Sequence, residues 1–216
     1  MLGEVLLAQG DLPSARRQYE EALETRKKIG AQDLVAESQV SLAGLALEEG
    51  HPEQAESLLR QAIVEFEKEN ATPDSAGAYV GLSRALQMQN KVDDAATTVA
   101  HADELSRGNP DPALKLPLAI QEARVRAARA ASGAAGQRER AAARRQLESV
   151  ISNARRLGYY ETECEARLAL VELDRSEGTP SAGPLAAALE NETRRNGFLL
   201  LSRKAALLGS SSRTAN

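Results

Sequence analysis

The apolar stretches of the chain are interrupted at a constant interval by a single glycine or asparagine. Gly10, Gly30, Gly50, Asn70 and Asn90 stand 20 residues apart. Glycine and asparagine are the residues that most readily adopt the left-handed backbone conformation with which helices end. A stop every 20 residues therefore predicts helices of roughly 15–18 residues joined by short turns.

Signals for the start of a helix accompany the stops. In each of them a residue that can cap a helix precedes a proline suited to the first helical turn. The pairs are Asp11 with Pro13, His51 with Pro52, Thr72 with Pro73, and Thr179 with Pro180. Matching stops and starts predict a succession of helical hairpins.

The core positions repeat at twice that interval. Three of the recurring sets are Ala15, Ala55 and Ala95; Ala22, Ala62 and Ala102; and Tyr19, Leu59 and Val99, with Leu2, Leu42 and Leu82 in the preceding helices. Small residues let two helices approach closely, and the larger residues fill the space between neighbouring hairpins. The unit is thus a hairpin of 40 residues that is stabilised by its neighbours along the chain.

The later units depart from this spacing. The segment Ala-Arg-Arg-Gln at 15–18 recurs at 143–146, which is eight residues beyond the 40-residue register, and we expect the insertion in a small-residue loop at 131–136. We predict one helical-repeat domain over residues 1–208. Its units are 1–30, 31–70, 71–108, 109–158 and 159–197, followed by a capping helix at 198–208 and a disordered tail at 209–216.

The repeat resembles the tetratricopeptide repeat (TPR) family, whose motif places leucine–glycine, an aromatic residue, glycine, alanine, an aromatic residue and alanine at set spacings. The matching residues are Leu2, Gly3, Gly10, Ala15, Tyr19 and Ala22, then Leu42, Gly50, Ala55 and Ala62, then Leu82, Ala95 and Ala102. The family unit has about 34 residues, so this longer unit is similar to that of bacterial signalling members. The resemblance implies an all-α, right-handed superhelical solenoid of about five antiparallel helix pairs, with a concave groove lined by the first helix of each pair.

Two departures from the family motif change what we expect of the chain and of its partner. Leu2 and Gly3 open the chain inside the motif, so we expect either a fragment or the C-terminal part of a larger protein. Some family members hold the C-terminal carboxylate of chaperones with Lys and Asn side chains. The matching positions here are Glu4, Ala8, Gly44, Arg84 and Gln87. This set lacks that clamp, and binding of a chaperone tail is not expected.

The composition supports an all-helical fold and indicates the cellular location that we expect. Aromatic residues make up only 3% of the chain, whereas strands favour aromatic and β-branched residues. No stretch approaches the ~20 apolar residues of a membrane span, and the N-terminus lacks a signal-peptide pattern. A single cysteine, Cys164, excludes an internal disulfide. We therefore expect a soluble, cytoplasmic, bacterial protein.

Catalytic and metal-binding groups are not expected. His51 and His101 lack a second His or Cys at the spacing that zinc sites use. The acidic neighbours of Cys164 raise its pKa and indicate a packed thiol. Phosphate-binding loops, nucleophile elbows and His-Glu-x-x-His segments do not occur in the sequence. We predict that the protein is not an enzyme and uses no cofactor.

Charge is distributed unevenly along the chain. Residues 1–70 hold 14 acidic and 7 basic residues, whereas residues 124–156 hold nine arginines against Glu139 and Glu148. The predicted basic patch comprises Arg138, Arg140, Arg144, Arg145, Arg155 and Arg156. It can be a solvated face, or it can bind an acidic partner. The net charge of −4 and the scarcity of stacking aromatics argue against nucleic acid.

The inward-facing phase of the first helices predicts the lining of the groove. That lining is Glu4, Val40, Leu47, Val80, Arg84, Gln87, Arg124, Leu168, Glu172 and Arg175. Apolar rows with isolated charges suit an amphipathic helix or an extended peptide, although such positions can also serve only to pack the repeats.

The leading hypothesis is a non-catalytic scaffold that binds a protein or peptide partner, as the C-terminal regulatory module of a larger bacterial protein. One alternative is a solenoid that senses a ligand or peptide. Another is self-association into a homo-oligomer through the acidic and basic ends.

Overall fold

The structure is a computed structural model that describes residues 2–210. In this part of the chain every regular element is an α-helix, which confirms the all-α fold. Its helices are α1 (Leu2–Ala8), α2 (Leu12–Lys28), α3 (Gln32–Glu48), α4 (Pro52–Lys68), α5 (Thr72–Met88), α6 (Val92–Leu105), α7 (Pro112–Arg129), α8 (Ala134–Leu157), α9 (Tyr160–Ser176), α10 (Ala182–Arg195) and α11 (Leu199–Ser210). Consecutive helices pack together from α2 to α6 and again from α8 to α11, as in a chain built from helical hairpins.

The predicted helix stops are confirmed by the backbone. The residues concerned all have positive φ, namely Gly10 (+72°), Gly30 (+73°), Gly50 (+80°), Asn70 (+57°) and Asn90 (+61°). After α3 the amide of Gly50 donates to the Leu47 carbonyl and the amide of His51 donates to the Ala46 carbonyl. This pair of bonds is the Schellman arrangement, which needs a left-handed residue between the helices.

The predicted caps are only partly correct. The Asp11 carboxylate caps α2 by accepting a hydrogen bond from the Ser14 amide at 3.2 Å, as expected. His51 occupies the cap position of α4 without a side-chain hydrogen bond. Thr72 already lies inside α5, because Pro73 takes the second helical position and the cap falls at Ala71. The prediction for Thr179 is also wrong, since α10 begins at Ala182 with Ser181 as its cap.

The described residues form two compact units. The first unit comprises residues 2–7 and 11–125, and the second comprises residues 8–10 and 126–210. Within the second unit the Arg203 guanidinium donates to the Gly10 carbonyl at 2.9 Å. The assignment of residues 1–208 to a single domain, with the hairpin boundaries given above, stays a prediction.

The core of the first unit contains the residues that recur at 40-residue intervals. Ala15, Ala55 and Ala95 are completely buried, and Leu59 and Val99 are nearly so. An alanine at the contact lets two helix backbones come close, and the larger side chain one turn further on fills the adjoining space. The periodic core is therefore confirmed at these positions, but the prediction is wrong for Leu2, which is 60% exposed.

The second unit has a different core. Cys164, Leu168, Leu189, Leu201 and Ala205 form one cluster that joins α9, α10 and α11. Tyr160 and Phe198 pack against this cluster.

The extra residues of the fourth hairpin enter a helix more than a loop. Helix α8 has 24 residues, compared with 17 in α4, and it already includes residues 134–136 of the predicted loop. Only glycine fits at position 136 near the start of α8, because a Cβ atom there would lie 1.5 Å from the Ala131 carbonyl oxygen. At the other end Gly209 and Ser210 belong to α11, so the predicted tail begins too early; residues 211–216 lie outside the described part.

Candidate partner-binding groove

The first helices of successive hairpins lie side by side in the first unit. Arg84 on α5 donates to Glu48 on α3 at 2.8 Å. Gln121 on α7 donates to Gln87 on α5 at 2.9 Å, and also to the Ser83 hydroxyl at 3.2 Å. The structure therefore brings α3, α5 and α7 into one row, and two predicted groove residues, Arg84 and Gln87, tie the row together.

The other predicted groove residues differ in accessibility. In the first unit Val40, Val80 and Arg124 are half-buried, and Glu4 is exposed. Leu47 is only 5% exposed and packs in the core. Its assignment as a partner contact is therefore corrected, because its side chain packs among the core residues of the first unit.

The three groove residues predicted on α9 lie in the second unit. Leu168 is 1% exposed within the α9–α10–α11 cluster, so it too is a core residue. Glu172 is half-buried. Arg175 donates to the Leu208 carbonyl at 3.0 Å and so holds α11 against α9.

An open cavity of about 320 Å³ lies on the α3–α5–α7 row. Its floor is apolar and consists of Val40, Phe66, Gly77, Ala78 and Leu114. Val40 is the predicted groove residue that lines it. Phe66 and Ala78 are almost completely buried, so they form a firm base. We refer to this cavity as the α3–α5–α7 groove.

Three carboxylates, which the sequence analysis missed, line the same groove. They are Glu37 on α3, Asp74 on α5 and Asp111 immediately before α7. Glu37 lies 3.6 Å from Arg26, and Asp111 accepts a hydrogen bond from the Ala113 amide at 2.9 Å. All three residues are exposed. The groove thus combines an apolar floor with a negative rim.

A second cavity of about 490 Å³ lies between α3 and α4. Neutral amides line much of it, and the Gln39 and Gln61 side chains are hydrogen-bonded to each other at 3.0 Å. Arg60 and Glu65 give it one charge of each sign. Because Gln39 and Gln61 are paired with each other and the two charges balance, this cavity favours neither sign of charge in a ligand, unlike the α3–α5–α7 groove.

The predicted basic patch on α8 is partly neutralised within the second unit. Arg144 donates to Asp174 at 2.5 Å and to Glu177 at 2.8 Å. Burial disfavours the charged form of Arg144, but the hydrogen bonds to these two acids together outweigh it, so the pKa of Arg144 is raised. Glu177 also pairs with Arg140 at 3.3 Å.

Arg155, further along α8, pairs with Glu163 at 2.7 Å. Arg138, Arg145 and Arg156 of the predicted patch are exposed. Counting charges within residues 124–156 overstated the positive charge of the patch, because the acids that pair with these arginines lie at residues 163–177.

Cys164 and His101 each contact neighbouring side chains in the structure. Cys164 is completely buried, and burial is the leading cause that raises the pKa of its thiol. His101 is exposed and lies edge-on to Tyr79, with ring centroids 4.7 Å apart. Within residues 2–210 the structure contains no cluster of three or more His, Cys, Asp or Glu residues suited to a metal ion. The same residues include no helix long and apolar enough to span a membrane.

Stacked helical hairpins with left-handed stops and alanine contacts define a helical-repeat protein. Family models described as tetratricopeptide repeat match residues 1–63 and 46–116, and together they span more than half of the chain. The chain therefore belongs to the tetratricopeptide repeat family. No curated protein matches it.

Two solved structures share the fold. Both are of nearly identical TPR-like repeats of a candidate kinesin light chain from Podosopora anserina. One is 17% identical with a TM-score of 0.55, covering 90% of this chain and 93% of that chain. The other is 15% identical with a TM-score of 0.54, covering 99% and 94%. At this identity the likeness shows the fold alone, and it confirms the TPR-like solenoid.

Proposed function

We propose that the chain is a non-catalytic scaffold that binds a peptide or a helix of a partner protein in the α3–α5–α7 groove. TPR repeats generally mediate protein–protein interactions. The observation that carries the proposal is the open cavity of about 320 Å³ on the row of first helices. Its apolar floor can bury a side chain, and its polar rim can orient the segment that carries it.

The rigidity of the row supports this role. Buried Gln121 and Ser83 link α7 to α5, and the Arg84–Glu48 ion pair links α5 to α3. A groove held in place by such contacts loses little freedom when it binds a partner, which favours affinity. A place as the regulatory module of a larger bacterial protein is part of the proposal and is supported by the motif resemblance.

A selection of random peptides displayed on phage tests the groove. Peptides are selected on the purified chain and then measured against the Gly77→Leu variant. A Cβ atom at Gly77 meets no atom within 4 Å, so a side chain added at this residue of the groove starts in open space. We expect the selected peptides to lose binding to the variant. Equal binding to both proteins would show that the groove is not the site.

Self-association is a second candidate, supported by a specific feature of α8. Arg138, Arg145 and Arg156 are exposed, and their spacings of 7 and 11 residues place them along one face of a helix. Such a row can meet the negative rim of the groove in another copy of the chain. Sedimentation at low and high salt tests this: an oligomer that dissociates with salt supports it, and a monomer at both concentrations contradicts it.

A further inference from the structure

We infer that the α3–α5–α7 groove binds a cationic segment of a separate partner protein, in which an apolar side chain is flanked by Lys or Arg. This inference rests on the proposed function and specifies the chemistry of the partner.

The floor of the groove favours binding of an apolar side chain of the partner. Val40, Phe66, Ala78 and Leu114 present only carbon atoms from their side chains. Gly77 leaves open space above them, since a Cβ atom there would contact nothing within 4 Å. Burying one aliphatic side chain in such a space removes apolar surface from water on both partners, which is favourable for binding.

The rim of the groove favours a positively charged partner. Glu37, Asp74 and Asp111 come from three successive first helices, and no Lys or Arg is among the described residues that line the cavity. Asp74 is exposed in the first turn of α5. Arg26 already pairs with Glu37 from outside the cavity, while Asp74 and Asp111 add further negative charge to the rim. A cation bound in the groove is attracted to this charge.

The surrounding charge acts in the same direction. Residues 1–70, which contribute α3 and α4 to this unit, hold 14 acidic against 7 basic residues. An excess of one sign around a cleft attracts the opposite charge and speeds encounter with it. Charge complementarity therefore selects a basic segment over an acidic or neutral one.

Fluorescence anisotropy with two matched peptides tests this inference on the whole chain. The first labelled peptide carries Arg and Leu with Ala as filler, and the second carries Glu at each Arg. We expect the Arg peptide to bind and the Glu peptide not to bind. Affinity for the Arg peptide is expected to fall about tenfold between low and physiological salt, because exposed charges are screened.

Matched charge reversals locate the binding site. Asp74→Lys removes a carboxylate of the rim from the first turn of α5. Asp33→Lys makes the same change in the first turn of α3, at a residue that does not line the groove. We expect Asp74→Lys to weaken binding of the Arg peptide about tenfold and Asp33→Lys to weaken it less than about twofold, the size of an interaction at a distance. Equal losses would overturn the inference.

Gly77→Leu separates failure of this inference from failure of the proposed function. Loss of Arg-peptide binding in Gly77→Leu supports both. If the Arg peptide fails to bind while other selected peptides remain sensitive to Gly77→Leu, the groove binds partners but the cationic assignment is overturned. If no peptide is sensitive to Gly77→Leu, both are overturned. If the chain itself forms an oligomer that Gly77→Leu dissociates, a second copy occupies the groove and the separate partner is overturned.

Discussion

The two units of the chain achieve stability in different ways. In the first unit α3, α4 and α5 each have 17 residues, and completely buried alanines recur at a fixed interval in the contacts between helices. In the second unit α8 has 24 residues, and two nearly buried acids of α9, Glu163 and Asp174, pair with arginines of α8. Ion pairs also link helices of the first unit, such as Arg84 with Glu48, but there the alanines at a fixed interval set the alignment. In the second unit the longer helix α8 is aligned with α9 by charged pairs.

This difference also explains where the family motif is detectable. The family models end at residue 116, close to the end of the first unit at residue 125. Small residues at fixed phases leave a trace in the sequence. Ion pairs between helices can form from many positions, so they leave none.

Truncation of Leu59 is expected to give the largest effect, because it breaks the apolar packing of the first unit. Leu59 is 2% exposed, and Leu59→Ala should lower the free energy of unfolding by about 3 kcal/mol through lost burial and a residual cavity. Denaturant unfolding measures this. Val64→Ala on the same helix is the control, since Val64 is 51% exposed; a similar loss there would show that α4 does not pack as described.

Removal of the Asp174 carboxylate should have the next largest effect, and it tests the charged alignment of the second unit. Its side chain is 3% exposed while that of Arg144 is 31% exposed. Asp174→Ala should lower the free energy of unfolding by about 2 kcal/mol. This is less than the loss expected for a fully buried pair, because Arg144 still contacts Glu177 and water. Hydrogen exchange should show the loss in α8 and α9. Glu190→Ala, which breaks the exposed pair with Arg194, should cost less than about 0.5 kcal/mol; equal losses would refute the distinction.

Two glycines of the first unit should respond in opposite directions. Gly77→Ala should stabilise the chain by about 0.5–1 kcal/mol, because alanine is the better helix former and the site has open space. Gly50→Ala should destabilise it by about 1 kcal/mol, because φ is +80° there. Melting temperatures of the two variants measure this. A shift of the same sign in both would contradict the assigned backbone.

The smallest predicted effect is a pH dependence in the second unit. A hydrogen bond from the Arg167 guanidinium lowers the pKa of Glu192. Because the folded pKa lies below the unfolded value, Glu192 stabilises the fold above about pH 4, and this contribution is lost as pH falls through the folded pKa.

The Glu192 side chain is 41% exposed, so its contribution is a few tenths of a kcal/mol after screening. Glu192→Gln should lower stability at neutral pH and flatten the acid limb of the stability curve. An unchanged acid limb in denaturant unfolding from pH 7 to pH 3 would contradict this assignment.

The fold was predictable because its signals are local. A left-handed residue such as Asn70 or Gly50 ends most of the described helices, whatever the partner helix is. The candidate site was not predictable in the same way. Following one phase along the repeats found Val40 but also the buried Leu47.

The rim was not predicted because its three carboxylates occupy different positions within the 40-residue repeat. Gly77, and not an acid, stands 40 residues after Glu37, and Leu114 stands 40 residues after Asp74. The carboxylates nevertheless line one cavity in the folded row. In the sequence, each carboxylate alone resembles the exposed acidic residues that are common on the surface of helices.

The most direct test of the central claim is a map of backbone NMR shifts during titration with the Arg peptide. The account predicts that the perturbed amides lie in the first halves of α3, α5 and α7, around Asp74 and Gly77, and that Gly77→Leu abolishes these shifts. Perturbations confined to α8 and α9, or unchanged by Gly77→Leu, would contradict it.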